Sequence, residues 1–343
     1  MKLKRISGVI LVAMLIFSMI GCGRDAAGSA RGEDTKTSDG KKIKIGMATF
    51  MMAQEWYQNI VAGAQVKADE LGVELIVADA NNDSAKQVEM VENLITQQVD
   101  AIIISPVDAK ALKGVVQKAQ DAGIRIICES NMVEGADTRV GVSDRESGII
   151  TGKWFAEHAK ANNIDPKILI LGYQSLENCR NRSEGFKEGM DEAGLKYEVV
   201  LEVDGGFREE SMNAATDAFT AHPYINAVFG INDDSTLGAI SAIRQAGLEN
   251  NGITTILYGL EGVAGRSALR NDELATAGLS TFAEYVGSTC IRAAMDAIEG
   301  KELPEEYISP SVVLDKSNFD EFFIVNGDKF EVNFAAVDKL AAQ

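Results

Sequence analysis

The sequence predicts an α/β protein built from two lobes, each a doubly wound parallel sheet. Three observations support this fold class. Strands and helices alternate with little interruption from residue 42, and the alternation restarts after Val142-Ser143-Asp144. The folded part, about 300 residues, is also long for a single hydrophobic core. Because each run of βα units is large enough for its own sheet, two consecutive runs predict two lobes.

The first run contains four strands and three helices. The predicted strands are Lys42–Ala48, Glu74–Ala78, Ala101–Ile104 and Arg125–Cys128. The third is apolar throughout, as expected of a parallel strand covered on both faces. The helices are predicted from apolar residues at helical spacing: Ile60, Ala64, Ala68 and Leu71 in the first, Val88, Val91 and Ile95 in the second, and Ala109–Ala122 as the third.

The second run repeats the pattern. Its predicted strands are Lys167–Leu171, Tyr197–Val203, Ala227–Phe229 and Thr254–Tyr258, and its helices are Gly148–Ala161, Arg182–Ala193, Glu209–Ala221 and Thr236–Ala246. Strand Leu274–Leu279, helix Ala283–Glu299 and strand Ile308–Leu314 come last. Periodicity alone does not assign these three elements to a lobe.

The N-terminus has the pattern of a lipoprotein signal. An apolar stretch, Ile6–Ile20, follows three cationic residues and leads to Gly21-Cys22. We therefore expect residues 1–22 to be the leader and its acylation site, with lipid on Cys22 and the rest outside the cytoplasm. An uncleaved transmembrane anchor is the alternative, but about 15 apolar residues fall short of the roughly 20 that a span needs. Residues 23–41 are small and polar, which predicts a disordered tether.

Charge and motif content argue against several classes of function. The chain has 33 Lys and Arg against 51 Asp and Glu, a formal net charge of −18, which disfavours nucleic-acid binding. Cys128, Cys179 and Cys290 are widely spaced without a CxxC pair, so we expect buried thiols and neither a disulfide framework nor zinc. His158 and His222 belong to no recognisable catalytic motif. We predict a protein without a metal, a cofactor or an enzymatic activity.

Polar and aromatic residues follow the predicted strands. Ligands of open parallel sheets bind beyond the carboxyl ends of strands. The groups found there are Gln54, Trp56, Tyr57, Glu129, Ser130, Asn131, Arg180, Phe207, Asn232 and Glu261. Planar amide, carboxylate and guanidinium groups bond neighbouring hydroxyls, and aromatic rings cover the C–H faces of a sugar. This set indicates a polyol site.

Each of these residues also has a structural explanation. Trp56 and Tyr57 could pack at the start of a helix. Asn232 could cap the helix that begins near Thr236, and Glu261 could lie at a helix N-terminus. Arg180 could form a surface pair with Glu184. It is the occurrence of so many suitable groups at successive strand ends that favours a site.

At these residues the chain resembles the periplasmic sugar-binding proteins of the ribose-binding type. The similarity runs from about Lys42 to Leu314. The segments that carry it are Gly63-Ala64-Gln65, Cys179–Phe186, Ala221-His222-Pro223 and Ala227–Ala239.

The resemblance implies two lobes joined by three hinge strands that close on one small solute. We expect lobe boundaries that place residues 42–143 with 281–309 and residues 144–280 with 310–343. Carried over, Trp56 and Tyr57 match an aromatic pair that would hold the sugar ring together with Phe207. Gln54, Arg180, Asn232 and Glu261 match the ligand-binding amide, arginine, asparagine and carboxylate positions.

Two departures from the family pattern bear on the ligand. The family's Asp-Arg pair appears as Ser130-Asn131, with Glu129 one place earlier, and Ser280-Thr281 stands where a glutamine is expected. We keep Ser130, Asn131 and Thr281 among the predicted ligand-binding residues. The changed pair puts ribose itself in doubt, so another monosaccharide, a sugar alcohol or a nucleoside-like solute fits the sequence as well.

The leading hypothesis is a monomeric, lipid-anchored solute receptor of an ABC importer. It would deliver a sugar or polyol to a membrane permease served by a separate ATPase. A sensory protein feeding a receptor kinase or chemoreceptor is the alternative. A sugar-responsive repressor would need a helix-turn-helix where residues 1–41 have a leader and a tether. The segment 315–343 lies outside the resemblance.

Overall fold

A computed structural model describes residues 41–343 of the chain. The predicted leader, Cys22 and nearly all of the predicted tether lie outside the described residues. Over the described range the chain forms two six-stranded sheets flanked by helices, together with one β-hairpin. All strand pairs within the large sheets are parallel except β10 with β12. The predicted fold class is confirmed.

The first sheet has the strand order β11-β5-β4-β3-β1-β2. Its strands are β1 (Lys44–Thr49), β2 (Glu74–Asp79), β3 (Ala101–Ile104), β4 (Arg125–Glu129), β5 (Thr138–Gly141) and β11 (Glu306–Ile308). Its helices are α1 (Glu55–Glu70), α2 (Ser84–Thr96), α3 (Ala109–Asp121) and α9 (Ala283–Ile298). Side chains of α1 and α9 form one core with Ile45 and Ile103, and those of α2 and α3 form another with Ile102 and Ile104 on the opposite face. Since successive strand residues point to opposite faces, an apolar run such as β3 supplies both cores.

Helices α1 and α9 approach each other unusually closely. A Cβ atom on Gly63 would lie 1.8 Å from the carbonyl oxygen of Glu284, and one on Gly287 would lie 1.8 Å from that of Ile60. No side chain larger than hydrogen fits at either position without a backbone shift. The two helices therefore form one closely packed unit on the face of the first sheet.

The second sheet has the strand order β12-β10-β9-β8-β6-β7. Its strands are β6 (Lys167–Gly172), β7 (Glu198–Asp204), β8 (Ala227–Gly230), β9 (Thr254–Gly259), β10 (Ala277–Ser280) and β12 (Val312–Leu314). Its helices are α4 (Asp144–Ala161), α5 (Glu177–Glu192), α6 (Arg208–Ala221), α7 (Asp233–Gln245) and α8 (Val263–Asn271). Phe155, Phe186 and Phe229 fill the core beneath α4 and α5, and Phe219 and Ile243 belong to the core on the side of α6 and α7.

The chain passes between the sheets three times: after β5, after β10 and between β11 and β12. These crossovers are hydrogen-bonded to one another. The Ser309 amide donates to the Gly141 carbonyl at 2.8 Å, and the Ser309 hydroxyl donates to the Thr281 carbonyl at 3.3 Å. We propose that the three crossovers are the boundaries between the lobes.

The prediction of a single strand over Ile308–Leu314 is wrong. It is two strands, β11 in the first sheet and β12 in the second, separated by residues 309–311. Pro310 lies in this gap, and proline has no N–H for a ladder hydrogen bond. Strand β5 and helix α8 were not predicted, because each is short, with four and nine residues.

The C-terminal segment adds α10 (Phe319–Phe322), the hairpin β13 (Phe323–Asn326) with β14 (Lys329–Val332), and α11 (Phe334–Ala341). Its aromatic residues Phe319, Phe323 and Phe330 are buried against Leu257 and Leu269 of the second lobe. Within residues 41–343, no helix is both long and apolar enough to cross a membrane.

Candidate ligand-binding site

The first turn of α1 carries the predicted aromatic pair to the carboxyl edge of the first sheet. Trp56 and Tyr57 are both half-buried, and Phe50, which follows β1, stacks on Tyr57 with 5.4 Å between the ring centroids. Burial raises the pKa of the Tyr57 hydroxyl, and the carboxylates of Glu129 and Glu261 raise it further. Tyr57 therefore lies within electrostatic range of one acid from each lobe.

Glu129 ends β4 and is a fully buried acid of the first lobe. The residue has no exposed surface, and neither of its carboxylate oxygens has a hydrogen-bond partner among the described residues. Burial raises the pKa of Glu129 to about 7, although Ser105 and Trp56 lie close enough to favour the charged form. Neither of these neighbours meets the geometry of a hydrogen bond, and the Ser105 hydroxyl is also buried without a partner. Since nearly all buried polar groups in native proteins are paired, this cluster is suited to a ligand that donates hydrogen bonds.

Ser130 and Asn131, which we predicted to bind ligand, are both exposed. The backbone turns away from the strand at Ser130, which has a φ of 67°, and its carbonyl accepts a hydrogen bond from Arg139 at 2.9 Å. The buried polar group at this strand end is therefore Glu129. The sequence pointed to this residue, since Glu129 directly follows the predicted strand Arg125–Cys128, and the observed strand β4 extends one residue further to include it.

In the second lobe, Arg182 is mostly buried, with 15% of its side chain exposed. Its Nε donates to Asp144 Oδ1 at 2.7 Å, its Nη1 donates to the Ile231 carbonyl at 2.9 Å, and its guanidinium lies 4.6 Å from the centre of the Tyr258 ring. Burial raises the pKa of Glu261, and the positive charge of Arg182 partly opposes that shift. Arg182 is thus near enough to Glu261 to act on its charge.

Arg180, the predicted ligand arginine, lies nearer the surface and donates to the Gln174 carbonyl at 2.7 Å. It does not pair with Glu184, which instead accepts from Arg145 at 3.0 Å. The alternative explanation of Arg180 as one half of that surface pair is therefore wrong. Both arginines lie in one Arg-Asn-Arg segment, and the sequence does not show which of them is turned inward.

Asn232 caps α7. Its Oδ1 accepts from the Ser235 amide at 2.8 Å and from the Ser235 hydroxyl at 2.7 Å, and its Nδ2 donates to the Gly206 carbonyl at 2.9 Å. This is the structural explanation considered for this residue. Asn232 remains half-buried, and by holding the loops after β7 and β8 together it shapes the same edge of the sheet.

Asp233 orients the loop that carries Glu261. Its two carboxylate oxygens accept from the amides of Leu260 and Glu261 at 3.2 and 3.0 Å. Burial, with a further contribution from the charge of Glu261, raises the pKa of Asp233 to about 8. Asp233 therefore fixes the backbone of the loop on which the second lobe presents its carboxylate.

The two lobes meet at this loop. The side-chain amide of Asn59 donates to the Glu261 carbonyl, and Gly262 lies against the Glu55 carboxylate, where a Cβ atom would be 1.6 Å from Oε2. The first turns of α1 thus rest on residues 261–262. A surface groove of about 990 Å³ beside α8 is lined by Glu55 and Val263 but lies outside the cluster of buried polar groups.

The other predicted site residues are more dispersed. Phe207 is 67% exposed and contacts the Tyr173 ring edge-on, with 6.4 Å between the centroids, so its side chain lies at the surface. Gln54 is exposed and precedes α1. Thr281 is buried at a crossover, next to Ser280, whose buried hydroxyl has no partner among the described residues. Over the same residues, no group of three or more His, Cys, Asp or Glu could hold a metal ion, and all three described cysteines are free and buried, as predicted for the thiols.

Two βα lobes joined by three crossovers, with aromatic and buried polar groups at the strand ends where they meet, define a two-lobed solute-binding protein. Residues 45–302 match the periplasmic binding protein domain family, and the chain belongs to this family. The predicted resemblance to the periplasmic sugar-binding proteins of the ribose-binding type is confirmed.

The relatives of this chain include transport proteins for sugars. It is 26% identical over 304 residues to the ribose import binding protein of Bacillus subtilis (strain 168), covering 88% of this chain and 96% of that protein. Over 220 residues it is 31% identical to the D-ribose/D-allose-binding protein of Pseudomonas aeruginosa, covering 60% of this chain and 68% of that one.

Solved structures show the same architecture. An ABC transporter periplasmic solute-binding protein from Actinobacillus succinogenes 130z with bound D-allose has a TM-score of 0.72 and 25% identity, covering 82% of this chain and 100% of that chain. A solute-binding protein from Bacillus halodurans C-125 with bound myo-inositol has a TM-score of 0.68 and 28% identity, covering 83% and 99%.

Proposed function

We propose that this protein binds one monosaccharide or related polyol between its two lobes and presents it to the permease of an ABC importer. The observation that carries the proposal is the carboxyl group of Glu129, which is fully buried without a partner beside Trp56 and Tyr57. Leaving such a group unpaired costs about 1–3 kcal/mol, and more when it is charged. Hydroxyl groups of a bound polyol supply the missing donors.

The surroundings of Glu129 suit a sugar. Trp56 and Tyr57 offer apolar ring faces for C–H groups, and Glu261 adds an acceptor from the second lobe. A solute held by groups from both lobes favours the arrangement in which the lobes are together, so binding and lobe closure are coupled.

The identity of the solute follows from the relatives only as a set of candidates. They include proteins named for, or solved with, ribose, allose, xylose and myo-inositol. In this chain the first-lobe site has Glu129 followed by the exposed residues Ser130 and Asn131. Because these residues differ from the family's Asp-Arg pair, the test includes all four solutes, D-ribose, D-allose, D-xylose and myo-inositol, each added separately. Uridine is added as the nucleoside alternative.

Thermal unfolding of residues 23–343 against these five solutes tests the proposal. A solute at a hundredfold excess over its Kd adds about 2.7 kcal/mol to the free energy of unfolding, enough to raise the melting temperature by several degrees. We expect Glu129→Gln to abolish the rise. Glu134→Gln is the matched control, because Glu134 is an exposed acid on the same lobe and the chemical change is identical. The absence of a rise with every solute would refute the sugar assignment.

We propose further that the protein acts as a monomer outside the cytoplasm, anchored through lipid on Cys22, and that it binds its solute without turnover. The leader pattern supports the anchor. A solute recovered chemically altered after incubation with the protein would contradict the proposed absence of turnover. An NMR spectrum of the recovered solute makes that comparison.

A further inference from the structure

The C-terminal strap, defined as residues 315–343, is built into the second lobe. Val337 and Phe323 have no exposed surface, and they pack with Phe319 and Phe330 against Leu257 of β9 and Leu269 of α8. The strap therefore moves with the second lobe as part of its hydrophobic core.

From that position the strap contacts α9, which belongs to the first lobe. The Tyr285 hydroxyl donates to Asp338 Oδ1 at 2.8 Å, and Arg292 Nη1 lies 3.5 Å from the same oxygen. Phe334 packs on the Tyr285 ring with 6.3 Å between centroids, and the Arg292 guanidinium lies 4.9 Å from the centre of that ring. Helix α11 of the strap thus holds the first three turns of α9.

A buried ion pair reinforces the connection. Arg266 of α8 makes two contacts with the Glu284 carboxylate, at 2.8 and 3.0 Å, and both residues are at least nine-tenths buried. The same guanidinium donates to the Phe330 carbonyl of the strap at 3.1 Å and lies 4.6 Å from the centre of the Phe323 ring. One arginine thereby joins the second lobe, the strap and the start of α9.

Helix α9 transmits this attachment to the aromatic pair. Its Glu284 and Gly287 backbone lies directly against α1 at Gly63 and Ile60, so closely that no Cβ fits between them. Trp56 and Tyr57 are in the first turn of α1. A displacement of α9 relative to the second lobe is therefore a displacement of these rings relative to Glu261.

We propose that the C-terminal strap positions the first lobe: through Asp338 and α11 it holds α9 against the second lobe and shifts the balance between lobe arrangements toward the one observed. The strap fastens the lobes beside the β10–α9 crossover, and Phe282 at that crossover packs on Phe322 and Phe323 of the strap at 5.6 and 6.0 Å. The relevance of the strap to solute uptake rests on the proposed function, in which solute binding is coupled to lobe closure.

An inter-lobe distance measured without any sugar tests the strap separately from the ligand. Nitroxide labels are attached at Gln117→Cys on α3 and Thr220→Cys on α6, both exposed and on different lobes, in residues 23–343, whose three native cysteines are buried. Pulsed electron–electron double resonance then gives the distribution of distances between the two nitroxide labels. We expect Asp338→Asn to increase the population of other lobe arrangements, relative to the arrangement in the structure, about two- to fivefold. This factor corresponds to the stabilisation that partly exposed ion pairs and hydrogen bonds provide.

Two further variants make the test specific. Tyr285→Phe with Arg292→Gln removes, on the α9 side, the hydroxyl and the guanidinium that contact Asp338, so it should shift the distribution in the same direction, and combining it with Asp338→Asn should add little. Asp328→Asn is the matched control, since Asp328 is an exposed acid of the strap in the hairpin turn.

The proposal is overturned when the distance distributions of both variants coincide with that of the unchanged protein, or when Asp328→Asn shifts the distribution equally. A lower melting temperature with an unchanged distribution would also overturn it, because the contacts would then stabilise the fold without positioning the lobes. Failure of every sugar to bind, together with a shifted distribution, would refute the proposed function and leave the strap intact.

Discussion

The titration of Glu129 offers a direct test of the buried site. Burial raises its pKa from 4.5 to about 7, so between these values the folded protein keeps a proton that the unfolded chain has released. The contribution of Glu129 to stability is therefore fully present below about pH 4.5 and is lost as the pH rises through about 7. A shift of this size corresponds to about 3 kcal/mol in the free energy of unfolding.

Glu129→Gln removes the titration and keeps the shape of the side chain. Urea unfolding of both proteins at pH 5, 6, 7 and 8, without sugar, gives the two free energies of unfolding. We expect the value of the unchanged protein minus that of the variant to fall by about 2–3 kcal/mol from pH 5 to pH 8. Exposed Glu134→Gln should leave the difference flat. A difference for Glu129→Gln that does not vary with pH would refute the assignment of Glu129 as a buried, unpaired carboxyl.

Three further predictions concern single residues. Asn232→Ala should lower the free energy of unfolding by about 1 kcal/mol in urea titrations, because α7 loses its cap, and an unchanged midpoint would contradict the capping role. Gly63→Ala should lower the melting temperature, by the equivalent of about 1–3 kcal/mol, because its Cβ would overlap the Glu284 backbone. The control Gly114→Ala, with no atom within 4 Å of the new Cβ, should not be destabilising. Cys22→Ser should move the protein out of the membrane fraction, and a variant that still carries lipid by mass spectrometry would contradict the predicted anchor.

The regular elements of the fold were predictable where the pattern of burial is strong. Strand β3 is apolar at every position and was predicted with its observed bounds. Strand β5 has four residues, of which Thr138 is a buried polar side chain and Arg139 is partly exposed, so it has no apolar pattern to detect. Periodicity describes local burial, and it contains no information on which sheet a short strand joins.

The sequence predicted at which strand ends the candidate site residues lie, but it did not predict which of their side chains turn inward. Tyr57, Glu261 and the polar end of β4 were predicted because parallel strands present their carboxyl ends at one edge, and their role in binding stays a prediction. The choice of Glu129 over Ser130 depends on where the backbone turns, and the choice of Arg182 over Arg180 depends on which face of α5 meets Asp144. Both are tertiary features that a single sequence leaves open.

The three crossovers have a consequence for biosynthesis. The first sheet contains β11, and its core contains α9, so this lobe is incomplete until residue 308 has left the ribosome. A nascent chain that ends before α9 leaves the apolar face of α1 uncovered, and cannot bury Ile60 and Ala64 as the native protein does. Most of the polypeptide must therefore be synthesised before the first lobe reaches its native core, a delay that is compatible with threading through a membrane as an extended chain.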